Sequence, residues 1–232
     1  MKTQPLPTAE PADAGLCPDR VRYLVQTLQA DVDRGRLPGA VVLLARHGRV
    51  VLNTGVGTLD PARGVPMTPD AIFRIYSMTK PIVSVAVMML VEQGRLLLDD
   101  PVHRHLPAFA DQTVAQRIDG QIQQVPVTRP ATVQDLLRHT AGLTYEFLGL
   151  SHVQRLYDQA DIGARHRSNG QFCDLLASLP LYRQPGSVWA YSRATDVLGR
   201  LIEVITGQPL GRYLQDAILR PLGMHDTGFA VP

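Results

Sequence analysis

Apolar positions divide this chain into two kinds of stretch. Val21, Leu24, Val25, Leu28 and Val32 recur at helical spacing, so residues 21–34 are predicted to form a helix that Gly35 and Pro38 end. Residues 40–45 and 50–56 are short Val- and Leu-rich runs. The four residues Arg46-His47-Gly48-Arg49 separate them, which is the pattern of a β-hairpin. Residues 72–76 read as a third extended piece.

From Ser77 the pattern changes. Residues 82–91 are apolar almost all round, as in a helix buried on every side, and Gly94 is a plausible stop. Pro81 must lie in the first turn, because a proline deeper inside would break the helix, so the helix starts at or very near Ser77. Residues 99–129 read mostly as loop. Helices are predicted over 133–138 with Thr132 as cap, over 172–178, over 195–205 and over 210–219. Gly207-Gln208-Pro209 and Arg220-Pro221-Leu222-Gly223 close the last two.

Strands come first and helices dominate afterwards, which is an α+β order. The expected organisation is a flexible Pro-rich lead over 1–15, then the first helix, the hairpin and the Ser77 helix over 16–100, and a mainly helical part over 101–232. A hairpin plus one short strand makes a poor sheet with an open edge. Either a second copy or another chain completes that sheet, so self-association through the edge is expected, or further strands are missing.

Composition narrows the classes. At 45% hydrophobic and 19% charged, with a formal net charge of +2, the chain reads as a globular protein. It has too little charge to point to nucleic acid or a membrane surface. Residues 1–20 lack an apolar signal core, and the run 82–91 is too short to span a bilayer, so a cytoplasmic protein is expected. Cys17 and Cys173 read as two buried thiols, although a single disulfide stays open.

One oddity concerns lysine. Of 23 Lys and Arg side chains only Lys2 and Lys80 are lysine, so Lys80 is the one lysine inside the expected fold. It falls three residues after Ser77, and residues i and i+3 share a helix face. Seven serines and two lysines would give about 0.06 such pairs by chance. Ser77 at the positive end of the helix dipole suits a developing negative charge. A serine hydroxyl needs a base to become a nucleophile. Lysine can be that base only where burial or neighbouring cations let it lose its proton, and arginine cannot. The plainer alternative is a capping serine followed by a solvated first-turn lysine.

The segment Phe73-Arg-Ile-Tyr-Ser-Met-Thr-Lys80, with Gly94-Arg-Leu-Leu-Leu-Asp-Asp-Pro101 after the apolar helix, resembles the serine β-lactamase and penicillin-binding superfamily, in its class C-like esterase branch. Leu136-Leu-Arg-His-Thr-Ala-Gly-Leu143, Tyr191-Ser-Arg-Ala-Thr-Asp-Val-Leu-Gly199 and Pro221-Leu-Gly-Met224 resemble later blocks in the same order. The resemblance implies a β-lactamase-like fold and a serine hydrolase. Ser77 would be acylated and Lys80 would help deprotonate it. Tyr191 would pass a proton to the leaving group and activate the deacylating water. It implies small acyl esters or amides as substrates and no cofactor or metal.

Two positions depart from the family. Arg193 stands two residues after the tyrosine, where relatives that process β-lactams usually have Asn, which favours ester hydrolysis. Arg193 would then meet a substrate carboxylate or point into solvent. The family also continues into strands that carry a Lys/His-Thr/Ser-Gly motif and supply one oxyanion-hole N–H, and no such motif follows Tyr191. Losing one such donor typically costs about 10²–10³ in rate. A non-catalytic truncated chain and a β-lactamase or D-Ala-D-Ala peptidase therefore stay open as alternatives.

Other candidates read as structural. His103 and His105 lack a partner cluster at metal-ligand spacing and suit a solvated loop. His139 suits a hydrogen-bonding role, Asp99 and Asp100 a turn, and Trp189 packing beneath the tyrosine loop.

Overall fold

The computed structural model describes residues 6–230, which form two compact units divided between Arg74 and Ile75. Each unit has its own order of elements.

In the first unit, helix α1 (Pro18–Asp33) starts earlier than the apolar spacing suggested, with Pro18 in its first turn. Proline is well suited there, since its missing N–H would have no partner in the helix. Strands β1 (Gly39–Arg46) and β2 (Arg49–Asp60) pair antiparallel. Their two-residue turn, His47-Gly48, has φ of 52° and 71°, which matches the twist of a tight hairpin. Helix α1 packs on both strands.

The third strand is not at 72–76. Strand β3 is Val65–Pro66, paired with the end of β2 through Thr58 and Asp60. Ile75 has helical angles and Tyr76 has φ 43°, so the chain there curls instead of extending. Part of the expected flexible lead is also fixed. Val50 exchanges backbone hydrogen bonds with Pro7 and Ala9, and Ala12–Ala14 forms a single 3-10 turn. Residues 1–5 of that lead, with Lys2, lie outside the described residues. Cys17 is exposed and unpaired, contrary to the buried thiol expected.

The second unit is mainly helical. A 3-10 turn at Tyr76–Met78 leads into α2 (Thr79–Glu92). Val83, Ala86, Val87 and Leu90 form its buried stripe at i, i+3, i+4 and i+7. The helix is not buried all round, however: Val85 and Met88 are 51% and 44% exposed. The domain grouping changes with it, because the Ser77 helix belongs to the compact unit of the later helices and not to that of the hairpin.

Helix α6 (Ala194–Thr206) is the hub of this unit, packing on α2, α3 (Val133–Leu137), α5 (Asn169–Ala177) and α7 (Leu210–Leu214). Its Val197, Leu198, Leu201 and Ile202 are fully enclosed, and such side chains contribute roughly 1.5–3 kcal/mol each. Helix α7 continues as a π-helical turn over Gln215–Leu219. Capping boxes start three helices: Thr132 with Asp135 for α3, Ser151 with Gln154 for α4 (His152–Gln159), and Ser168 with Gln171 for α5.

Residues 99–129 are more ordered than a loop. They contain a hairpin of β4 (Thr113–Ile118) and β5 (Gln121–Pro126), turning at Asp119-Gly120 with φ of 49° and 79°. Among the described residues no strand follows β5. His105 is not solvated: its ring meets the buried Asp100 carboxylate at 3.2 Å. Asp100 also accepts the Leu97 N–H, as a turn residue does. Among the described residues no helix is long and apolar enough to cross a membrane.

Candidate active site

Ser77 lies in the 3-10 turn directly ahead of α2, and Lys80 follows within the first turn of that helix. The residue before the serine, Tyr76, holds φ 43°, an uncommon conformation for a bulky side chain. Such strain clusters at functional sites because surrounding structure must enforce it. The Lys80 ammonium donates to Ser77 Oγ at 3.1 Å. On its other side Ser77 Oγ is hydrogen-bonded to the Tyr191 hydroxyl at 2.5 Å. The three side chains singled out in the sequence therefore converge on one oxygen, although 114 residues separate Ser77 from Tyr191.

A backbone clamp puts Tyr191 there. The segment 139–144 and the segment 182–193 are joined by main-chain hydrogen bonds. Gly142 O accepts from the Tyr182 N–H, Thr140 O from the Gly186 N–H, and His139 O from the Ala190 N–H. At the far end Thr144 O accepts from the Arg193 N–H. Gly142 is required at the tightest point: its φ is 82°, and a Cβ there would sit 2.1 Å from Arg183 O. The two sequence blocks around His139 and Tyr191 are thus the two sides of one structural device.

Aromatic rings surround the phenol. His139 and Tyr145 have ring centroids 5.1 and 5.2 Å from that of Tyr191. His139 Nδ1 lies 3.1 Å from Ser192 Oγ, the structural role its position suggested. Burial, and then the Lys80 charge, lower the His139 pKa and favour the neutral imidazole. Trp189 does not pack beneath the loop. It stacks beside Tyr191 at 6.4 Å and is 64% exposed.

Tyr145 was not visible as a site residue in the sequence. Its ring is buried, with Lys80 Nζ 5.7 Å and Arg193 Cζ 4.9 Å from its centroid. Arg193 does not point into solvent. Its guanidinium forms an ion pair with Glu146, with Nε 3.3 Å from Oε2, and both side chains are largely enclosed.

The electrostatics of the triad have a consistent sense. The Lys80 ammonium, then the Ser77 hydroxyl, hold the Tyr191 phenol below its ordinary pKa. Partial burial alone would lower Lys80, but the Tyr191 and Tyr145 phenols outweigh it and raise the ammonium above its ordinary value. The phenol is the member eased toward losing its proton, and the lysine is the member held charged. The cleft over Ser77 has a volume of about 320 Å³ and includes Asn169, Thr195 and Asp196 in its walls.

Known proteins match this chain over most of its length. Residues 24–232 match the family model described as Beta-lactamase. Esterase EstB of Burkholderia gladioli is 43% identical over 196 residues, which is 84% of this chain and 47% of that protein. Among solved structures, EstCE1, described as a hydrolase with promiscuous acyltransferase activity, superposes with a TM-score of 0.80 at 35% identity, over 91% of this chain and 53% of that one. Simvastatin synthase (LovD) from Aspergillus terreus superposes with a TM-score of 0.72 at 29% identity, over 89% of this chain and 54% of that one. The chain spans about half the length of these relatives. With a family match from residue 24 to residue 232 and the β-lactamase-like fold of its neighbours, the chain belongs to the Beta-lactamase family.

Proposed function

We propose that this chain is a serine hydrolase that forms an acyl-enzyme on Ser77 and acts on small acyl esters. The observation that carries the reading is the pair of hydrogen bonds on Ser77 Oγ, from Lys80 Nζ and with the Tyr191 hydroxyl. In the reactive form Tyr191 is a phenolate beside the Lys80 ammonium. Ser77 Oγ attacks the ester carbonyl carbon, and its proton passes to the Tyr191 oxygen. As the tetrahedral intermediate collapses, the bond to the alkoxide breaks, and Tyr191 returns the proton to the leaving oxygen. A water then attacks the acyl carbon and gives a proton to Tyr191, which hands it to Ser77 Oγ as the acid departs. Lys80 stays charged throughout. That assignment moves the role of base from the lysine to the phenol, and the opposed shifts of the two groups support it.

The commitment of Arg193 to Glu146 also favours esters over β-lactams. The position two residues beyond Tyr191 is spent on an internal ion pair, so it does not offer an amide to a lactam. The test is labelling with a fluorophosphonate probe alongside p-nitrophenyl acetate turnover. Labelling that disappears in Ser77→Ala, with turnover lost in parallel, is the expected result. Equal labelling of Ser77→Ala would refute the reading, and nitrocefin turnover without ester turnover would replace it with a β-lactamase.

A further inference from the structure

We infer that the free edge of β1 is a docking edge for a second copy of this chain, and that two copies join by antiparallel β1–β1 pairing about a two-fold axis at Val42.

The hydrogen bonds of the hairpin fix which way each residue of β1 points. Val50 donates its N–H to Pro7 O and accepts the Ala9 N–H, so neither group is left for Ala45, the residue opposite it. Ala45 therefore directs its own N–H and C=O away from β2. At the other end Pro38 O accepts the Thr58 N–H, so Pro38 faces β2 and Gly39, the next residue, faces away. The two ends agree, since strand residues alternate and both ends put the odd-numbered positions outward. The irregularity at Leu44/Ala45 leaves this alternation intact, because the extra residue, Val51, belongs to β2. Gly39, Val41, Leu43 and Ala45 thus present a row of donors and acceptors. Strand β1 is an outer strand of its sheet, and among the described residues none of these groups has a backbone partner.

Exposed edges are usually blunted by lysine, proline or an inward-pointing charge. Residues 39–45 carry none of these. The edge is also complementary to itself. With the axis at Val42, Gly39 meets Ala45, Val41 meets Leu43 and Ala40 meets Leu44, so every cross-strand pair is apolar. All the outward residues of one copy then find outward residues of the other. An axis at Val41 or at Leu43 would leave Ala45 or Gly39, respectively, opposite a residue outside the strand. The charge nearest the seam, Arg46, is anchored on Gly15 O at 2.6 Å and stands opposite Pro38. The first unit also gains from a further strand. Of its described residues only Ala14 and Val56 are buried, helix α1 has no buried residue, and Leu43 is 61% exposed. A unit that encloses so little apolar surface is marginal on its own. Two-fold pairing of this kind closes on itself and stops at the dimer.

The test is sedimentation velocity of the full chain over a concentration series up to about 100 µM, where an interface of small area should associate. The weight-average mass should rise toward twice that of one chain. Leu43→Pro removes an outward N–H that the hairpin itself does not use, and Leu43→Lys places a charge on the seam without touching the backbone. Both variants should stay monomeric with unchanged circular dichroism. In a Cys17→Ser background, oxidation of Val42→Cys should give a disulfide-linked dimer, and Leu44→Cys should give about tenfold less. A chain that is monomeric throughout the series would overturn the inference, as would a dimer that survives both Leu43 substitutions. Cross-linking through Leu44→Cys in preference to Val42→Cys would overturn the axis.

Discussion

The Tyr191 hydroxyl and Ser77 Oγ share a 2.5 Å hydrogen bond across two elements that are far apart in sequence. If the phenol is the base, Tyr191→Phe should lower kcat/KM for p-nitrophenyl acetate by about 10²–10⁴. The fold should survive, since the clamp around residue 191 is made by backbone groups. Unchanged circular dichroism with lost turnover is the expected pair of measurements, and full turnover in the variant would exclude the phenol as base.

Lys80 should act through its charge. Activity should rise with pH as Tyr191, whose pKa is held down, loses its proton, and should fall only where Lys80, whose pKa is held up, loses its own. Lys80→Met removes the cation, so the Tyr191 pKa should climb and the acidic limb of the kcat/KM profile should shift to higher pH. Lys80→Arg keeps a charge that cannot serve as a base, and it should retain clearly more activity at neutral pH than Lys80→Met. Identical profiles for the two variants would contradict the assignment.

The Arg193–Glu146 pair should matter for stability more than for substrate binding. Glu146→Gln leaves a largely enclosed guanidinium without its counter-charge and should cost roughly 2 kcal/mol, because an uncompensated charge is expensive out of water. Replacing both residues with apolar ones of similar size should recover much of that loss. Denaturant melts measure both effects, and a change confined to KM would instead place Arg193 on the substrate.

Gly142→Ala should be among the most disruptive small substitutions. A methyl group would collide with Arg183 O at 2.1 Å, at a φ of 82° that alanine resists. A fall in Tm together with a drop in kcat is expected, since the same main-chain bonds carry the phenol.

Asp135 ties acid stability to the same region. It accepts two hydrogen bonds from Arg129, at 2.6 and 3.0 Å, and others from Thr132 and Thr140. Burial opposes its charge, but these donors win and hold its pKa at about 2. A carboxyl depressed in the folded state stabilises fully above its unfolded value of about 4 and loses that contribution as pH falls toward 2. The contribution is roughly 2 kcal/mol, so Asp135→Asn should flatten the decline in Tm between pH 4 and pH 2.

The catalytic pair was legible in the sequence for a chemical reason. In a chain that writes its other interior cations as arginine, Lys80 three residues after Ser77 carries information that a lone motif would not. Tyr145 was not legible, because its closeness to both Lys80 and Arg193 depends on three segments that are separate in the chain. The hairpin at residues 113–126 could have been read: Asp119-Gly120 is a strong two-residue turn signal, although the Gln-rich strands beside it lack apolar alternation. Helix α4 was not predicted, although Ser151 and Gln154 carry the capping-box spacing that would have marked its start. The exposed face of α2 had no signal at all, since an apolar residue at Val85 or Met88 does not say whether anything covers it.

The main-chain clamp between residues 139–144 and 182–193 has a consequence for how such a site can change. Because carbonyl and amide groups locate the phenol, the side chains at Ser187 and Val188 are released from that duty, and both are exposed. These exposed positions beside the tyrosine can therefore be rewritten by selection or by directed evolution while the reactive oxygen stays in register. A scaffold built this way can exchange one substrate for another without first having to reinvent its chemistry.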